Sequence, residues 1–397
     1  MKRKNFRATF AVGLLIITFA ATTIAQSGAT RPRRVLPNSA PPQPTPTPTQ
    51  PARTSTTTRS ASGDTTHAYT LLQQNQNEAA AREAKQIAAL DPNNAEAWKI
   101  AGFAEFNLKQ YKDAASDLQR ALDLQRKAGA EDTNTVNALA EALTRSEQFE
   151  RALPLLVTAT TRAGAQPDAT MLYLRGLAEF NTGKRADAER SFNAAIKADP
   201  KNTAALFYLG RIAYEQKNWD NAIAMFNRAT TADARLADAW KFLTLAYINR
   251  GAAATDAKAD ADYLNAVRAS EGLVRAKPTD LGALALNGQA LIYAKQYAQA
   301  VPVLERATTN VNAQGPTFYL LGIAYSRTKN FPKAIAALER ATQKTPEDVS
   351  IYRELGYAYE VSKQYAKALA AYQKGSSLAP DDADLKQSVE RVRPFAK

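Results

Sequence analysis

Residues Leu321–Pro346 read "LGIAYSRTKNFPKAIAALERATQKTP", and 34 residues later Leu355–Pro380 reads "LGYAYEVSKQYAKALAAYQKGSSLAP". A chain that writes one segment twice is built from repeats, and the spacing of its apolar residues says of what kind. In the related segment Phe207–Thr230, "FYLGRIAYEQKNWDNAIAMFNRAT", apolar residues recur every three or four positions on both sides of the polar "EQKN". Each unit therefore reads as two amphipathic helices joined by a tight turn.

The series extends toward the N-terminus. With Gly322 and Gly356 at position 8, units fall at 61–94, 95–132, 133–168, 169–202, 203–236, 237–280, 281–314, 315–348 and 349–382. Position 20 is alanine in every unit: Ala80, Ala114, Ala152, Ala188, Ala222, Ala266, Ala300, Ala334 and Ala368. Position 8 is small in most: Ala68, Gly102, Ala140, Gly176, Gly210, Gly288, Gly322 and Gly356, with Thr244 the exception. Small residues at these two places let the paired helices approach closely. Twelve residues after the alanine comes Pro92, Pro200, Pro278, Pro346 or Pro380, often followed by Asp or Asn. Proline discourages helix continuation, and the acidic or amide side chain caps the next helix.

This pattern resembles the tetratricopeptide repeat, with its W-x2-L-G-x2-Y…A-x3-F…P signature. Trp98 and Trp240 match the tryptophan, Leu209-Gly210, Leu321-Gly322 and Leu355-Gly356 the Leu-Gly pair, Tyr325 and Tyr359 the tyrosine, and Phe192 and Phe226 the phenylalanine. The first unit departs with His67 in the leucine place, and the third lacks the glycine. The expected fold is all-α: a right-handed α-solenoid of about nine helix-turn-helix repeats, in which one pair buries too little and neighbours complete its core. The segment "DADLKQSVERVRPF", within residues 383–397, is expected to form a capping helix with a charged outer face, followed by a tail. Unit six carries about ten extra residues around "GAAATDAKAD", expected to lengthen its second helix by up to ~15 Å.

The formal charge of +13 is concentrated at the N-terminus. Residues 1–60 hold nine Lys/Arg and no acid, leaving 42 bases against 38 acids beyond them. A body so nearly balanced gives no reason to expect a polyphosphate partner, so nucleic acid is excluded. Lys2, Arg3, Lys4 and Arg7 precede the apolar "FAVGLLIITFA" and the small residues Thr23 and Ala25, a secretory signal expected to be cut after Ala25. The alternative is an uncleaved inner-membrane anchor, because the uncharged interval 8–30 is long enough to span a bilayer. Either way the body is expected outside the cytoplasm, in the periplasm or envelope, with membrane contact only through an uncleaved N-terminus. Residues 26–60, rich in Pro, Thr and Ser, read as an extended linker.

The catalytic inventory is poor. The chain has no cysteine and one histidine, His67, so thiol chemistry and an HExxH zinc site are excluded. No phosphate-binding GxxxxGK[ST] loop occurs, and "RGLAEFNTGK" lacks its spacing. No cofactor, no metal and no enzymatic activity are expected. The resemblance implies instead that positions 2, 5, 9, 12 and 13 of each first helix face a ligand. In this chain those places include Phe103, Phe106, Asn107, Tyr173, Phe180, Asn181, Phe207, Arg211, Tyr214, Lys241, Asn249, Tyr293, Tyr319, Arg327, Arg353 and Tyr357. Rings with polar tips, mixed with Arg and Asn, suit an extended peptide or a partner protein. The expectation is a non-catalytic scaffold of the bacterial cell envelope. A second reading is a polysaccharide-export or glycan-binding component, since aromatic grooves suit sugar rings.

Overall fold

The computed structural model describes residues 63–162, 168–254, 257–310 and 312–396. The expected signal and linker lie outside the described residues. Among those described, nineteen α-helices and a short closing 3-10 turn occur, and no strand. The helices form consecutive hairpins: α1 (Thr66–Gln73) with α2 (Asn77–Leu90), α3 (Ala95–Asn107) with α4 (Tyr111–Lys127), α5 (Thr133–Arg145) with α6 (Phe149–Thr161), and α7 (Ala169–Asn181) with α8 (Arg185–Ala198). They continue with α9 (Thr203–Glu215), α10 (Trp219–Ala232), α11 (Ala237–Ala253), α12 (Ala257–Ala276), α13 (Leu281–Tyr293) and α14 (Tyr297–Ala307). The last are α15 (Gly315–Arg327), α16 (Phe331–Lys344), α17 (Val349–Val361), α18 (Tyr365–Leu378) and α19 (Ala383–Val392).

These residues form two compact units, divided between Ile212 and Ala213 inside α9. Within them consecutive helices pack on one another, from α1 through α8 in one and from α10 through α19 in the other, as the solenoid expectation requires. First helices also touch one another from repeat to repeat: α1 with α3, α3 with α5 and α5 with α7 in one unit, and α11 with α13, α13 with α15 and α15 with α17 in the other. They therefore make the more closely spaced row. No described helix is long and apolar enough to cross a membrane.

The hairpin turn is fixed by a backbone feature. Repeat position 15 takes positive φ in Asn75, Lys109, Glu147, Gly183, Lys217, Lys295, Lys329 and Lys363, between 59° and 80°. Lys109 N–H bonds Phe106 C=O and Gln110 N–H bonds Glu105 C=O, both at 2.9 Å, closing the helix end with the 5→2 and 6→1 pair of a Schellman motif. A left-handed residue is reached at a modest steric cost, and the carbonyls it satisfies offset that cost.

Close helix approach is equally specific. A Cβ on Gly288 of α13 would lie 2.3 Å from Leu304 Cδ2 on α14, and one on Gly356 would meet the Tyr372 ring at 2.5 Å. The expected caps are present: Asn94 accepts from Ala97 N–H at 2.9 Å, Asp280 from Ala283 N–H at 2.7 Å and Asp382 from Leu385 N–H at 3.0 Å. The signature tryptophans hold the loop between repeats, Trp98 Nε1 donating to Pro92 O at 3.0 Å and Trp240 Nε1 to Ala234 O at 2.9 Å.

Unit six corrects one expectation. Its insertion lengthens both helices, α11 to 17 residues and α12 to 20, where α13 and α16 have 13 and 14. Position 15 is Gly251, which stays helical, so the turn moves beyond Ala253. Arg250 fastens the longer pair, giving Nε at 2.9 Å and Nη2 at 2.6 Å to the buried Asp262 carboxylate of α12. The capping helix forms as expected, burying Leu385, Val389 and Val392.

Candidate functional site

The site expectation divides along the chain. In the unit before residue 213, first-helix residues bring rings and guanidinium planes together. Phe103 and Phe106 are half-buried on α3 and rest on the core around Leu118, Leu139 and Leu143. Phe106 meets Tyr111 edge-on, with ring centres 5.4 Å apart. Arg145, at the end of α5, is held by Glu141 Oε1 at 2.8 and 2.6 Å. Its guanidinium carbon lies 6.0 Å from the Phe106 ring centre and 5.5 Å from that of Tyr111. A cation above a ring face is attracted by the ring quadrupole, so this arginine is positioned by both rings and its carboxylate.

Tyr208 centres the next group. It stacks on Phe192 at 5.3 Å, meets Phe180 at 5.1 Å and Phe207 at 5.4 Å in edge-on geometry, and lies 6.3 Å from Tyr173. Such edge-to-face contacts add to the value of the buried area and hold the rings rigidly. Arg185 lies 3.8 Å over Phe180, and Arg211 sits 5.8 Å from Phe180 and 6.0 Å from Phe207. Burial, with the neighbouring Tyr208 second, pushes the Tyr173 hydroxyl well above its ordinary range. Phe180 is only 8% exposed, so it belongs to the core and supports the surface from beneath. Tyr173, Phe207 and Arg211 remain half-buried with atoms at the surface.

Beyond residue 213 the polar candidates are taken up by the fold. Asn249 donates to the Tyr214 hydroxyl at 2.8 Å, joining α9 to α11. Arg327 on α15 binds both oxygens of Glu354 on α17, at 3.0 and 2.9 Å, and Arg353 binds Asp382. Tyr293 stacks on Tyr263 of the long α12 at 5.3 Å. Tyr319 and Lys241 are half-buried, while Tyr357 is 39% exposed and meets Phe331 edge-on. In the first unit Asn107 donates to Asn77 and Asn181 to the Leu177 carbonyl. Ion pairs between successive first helices tie repeats together, and a ligand would have to break them.

Two residues escaped the sequence reading. Arg145 occupies position 13, the place of Asn107, Asn181 and Asn249, and that register alone identifies it. Tyr208 occupies position 6, outside the expected ligand positions, and only packing reveals it. His67 is exposed and pairs with Glu83 Oε2 at 2.7 Å. A shallow hollow lined by Lys112, Gln119, Gln148 and Arg151 lies along α4 and the α5–α6 turn and shares no residue with the aromatic strip.

Comparison with known proteins agrees with the fold. The tetratricopeptide repeat family model matches residues 65–131, 137–184, 173–237 and 319–383. Superkiller complex protein 3 of Mus musculus is 31% identical over 123 residues, covering 30% of this chain and 8% of that protein. The chain thus spans a small part of that relative. Among solved structures, the C-terminal part of a TPR repeat-containing protein from Cytophaga hutchinsonii has a TM-score of 0.48 at 16% identity, covering 63% of this chain and 98% of that one. YrrB, described as a TPR protein with an unusual peptide-binding site, has a TM-score of 0.43 at 18% identity, covering 51% and 99%.

Proposed function

The chain belongs to the tetratricopeptide repeat family of protein–protein interaction scaffolds, and we propose that it holds an extended peptide segment of an envelope protein on its first helices before residue 213. The reading rests on the strip formed by Phe106, Arg145, Tyr173, Phe207 and Arg211, whose members are half-buried and held by ring and carboxylate contacts. Rigid aromatic and guanidinium groups lose little rotamer freedom on binding, which is why they recur where affinity is concentrated. Fold members of this kind are generally non-catalytic, and scaffolding is the proposed role here. The envelope setting rests on the basic and apolar start of the chain.

Cross-linking and capture from native envelope fractions tests this reading. The wild-type chain is expected to retain a partner that Tyr173→Ala and Arg145→Ala both lose, with circular dichroism unchanged. Recovery of no partner, or equal recovery by both variants, overturns it. Fractionation with N-terminal sequencing is expected to find the chain outside the cytoplasm, beginning after Ala25. A glycan array that responds to the same two substitutions would favour the polysaccharide reading instead.

A further inference from the structure

Repeats two and four carry glutamate at position 11, Glu105 and Glu179, but differ at position 23, where one has Asp117 and the other Ser191. The fourth repeat shows what this register does. Ser191 Oγ donates to Glu179 Oε2 at 2.6 Å, and Arg175 Nε donates to Oε1 at 2.8 Å, so both carboxylate oxygens are satisfied. In the second repeat the hydroxyl donor is replaced by a second carboxyl group. Glu105 is 2% exposed and Asp117 8%, and neither Glu105 Oε2 nor Asp117 Oδ2 has a hydrogen-bond donor. One cation serves both: Lys85 of α2 pairs with Glu105 Oε1 and lies 3.6 Å from Asp117 Oδ2.

Two buried carboxylates beside one ammonium leave one negative charge uncompensated, which is unfavourable in a poorly solvated site. A single proton removes that charge and supplies the missing donor. We propose that Glu105 and Asp117 share one proton, which does for repeat two what the Ser191 hydroxyl does for repeat four, and that its release loosens α2, α3 and α4 as pH rises. The proton passes between water and the carboxyl pair, and no other group changes state. The charged groups acting on the pair are Lys85 from α2 and Asp113 from α4, whose negative charge favours retention of the proton on Asp117. On the flanking helices, His67 of α1 is tied to Glu83 and Arg145 of α5 to Glu141.

The titration of Glu105 agrees. Burial first and the neighbouring Asp117 push its carboxyl from the ordinary 4.5 up to about 7, against the opposing pull of Lys85. Asp117 is likewise raised, by burial above all. A carboxyl whose folded value exceeds its unfolded one stabilises the fold fully below the unfolded value and loses that contribution as pH rises through the folded value. The window runs from about pH 4.5 to about pH 7.

Amide hydrogen exchange on the full chain, expressed as protection factors between pH 5 and pH 8, tests the proposal. Protection in residues 77–127 is expected to fall by more than about tenfold across that range. Amides of α7 and α8 in the same sample serve as the internal reference, because Glu179 has its donor. Asp117→Ser, which copies repeat four, is expected to flatten the profile, and so is Glu105→Gln, which supplies a permanent donor. A flat wild-type profile overturns the proposal, and so does a slope that survives in both variants. Should one variant fail to fold, the wild-type profile and the other variant decide.

Discussion

Tyr359 on α17 donates its hydroxyl proton to Glu339 on α16, and Tyr325 on α15 makes the same bond to Glu305 on α14, one repeat earlier. Both of these first helices are thus fastened to the second helix before them by a tyrosine at position 11 and a glutamate at position 25. Lys367 and Lys333 lie 5.5 and 5.3 Å over the two rings. Burial, followed by the glutamate, pushes both hydroxyls above their ordinary range, so they remain donors at all physiological pH values. Tyr359→Phe retains the buried ring and removes the bond. The exposed Glu339 can rehydrate, so urea denaturation is expected to show a loss of about 1 kcal/mol. A double-mutant cycle with Glu339→Ala, which removes the acceptor, is expected to return most of that figure as coupling energy, and additive single effects would contradict it.

The Gly288–Leu304 contact makes a second prediction. An added methyl at Gly288 would sit 2.3 Å from Leu304 Cδ2, and Leu304 is fully buried and well packed. Gly288→Ala is therefore expected to destabilise by about 1–3 kcal/mol despite alanine's better helix propensity. Leu304→Ala alone empties the space and costs about 2–5 kcal/mol. Combined, the new methyl fills part of that space, so the double variant should lose clearly less than the sum of the two single losses. Repeat six supports the complementarity, pairing the larger Thr244 at position 8 with the smaller Ser270 in the register of Leu304.

Much of the fold was legible because close packing leaves small residues in the sequence at a fixed period. Gly322 and Gly356 announce a contact with Leu338 and Tyr372 that nothing bulkier would permit. The caps were legible for a similar reason, since Asp280 and Asp382 stand where free N–H groups must be met. The left-handed turn left no such mark. Lys329 and Lys363 occupy it, and their composition reads as ordinary surface charge. Unit six was misread because repeat arithmetic counts inserted residues without saying which helix takes them. The site was half legible: ring positions follow from register, but whether Arg327 meets a ligand or Glu354 depends on a side chain 27 residues away.

Arg250 and Asp262 carry the third prediction. Asp262 is 4% exposed, and its carboxylate receives two hydrogen bonds from Arg250, which also reaches Asp220. Those hydrogen bonds, more than the competing effect of burial, raise the Arg250 guanidinium far above its ordinary range. Arg250→Ala leaves a buried carboxylate without its donors and is expected to cost roughly 2–3 kcal/mol by denaturant unfolding. Adding Asp262→Leu to that variant removes the stranded charge and should recover part of the loss, whereas a further loss would show that Asp262 has other support.

The capping helix gives the last prediction, with a pH dependence opposite to that of the carboxyl pair in repeat two. Glu360 on α17 accepts from the Tyr372 hydroxyl at 2.8 Å and from Arg391 Nε and Nη2, both at 2.9 Å, so that α19 is fastened to the last repeat through one carboxylate. Burial alone would raise this group, but the hydrogen bonds from Arg391 and Tyr372 outweigh it and hold the carboxyl below the ordinary 4.5. A carboxyl depressed on folding contributes stability above its unfolded value and loses it as pH falls through the folded one. Amide protection in α19 is therefore expected to weaken as pH drops below about 4.5, the loss corresponding to about 1 kcal/mol for a partly solvated pair. Glu360→Gln should already show the weakened helix at pH 7 and little further change in acid. If the wild type and this variant lose protection in parallel on acidification, then other carboxylates govern the docking of α19 and the assignment to Glu360 fails.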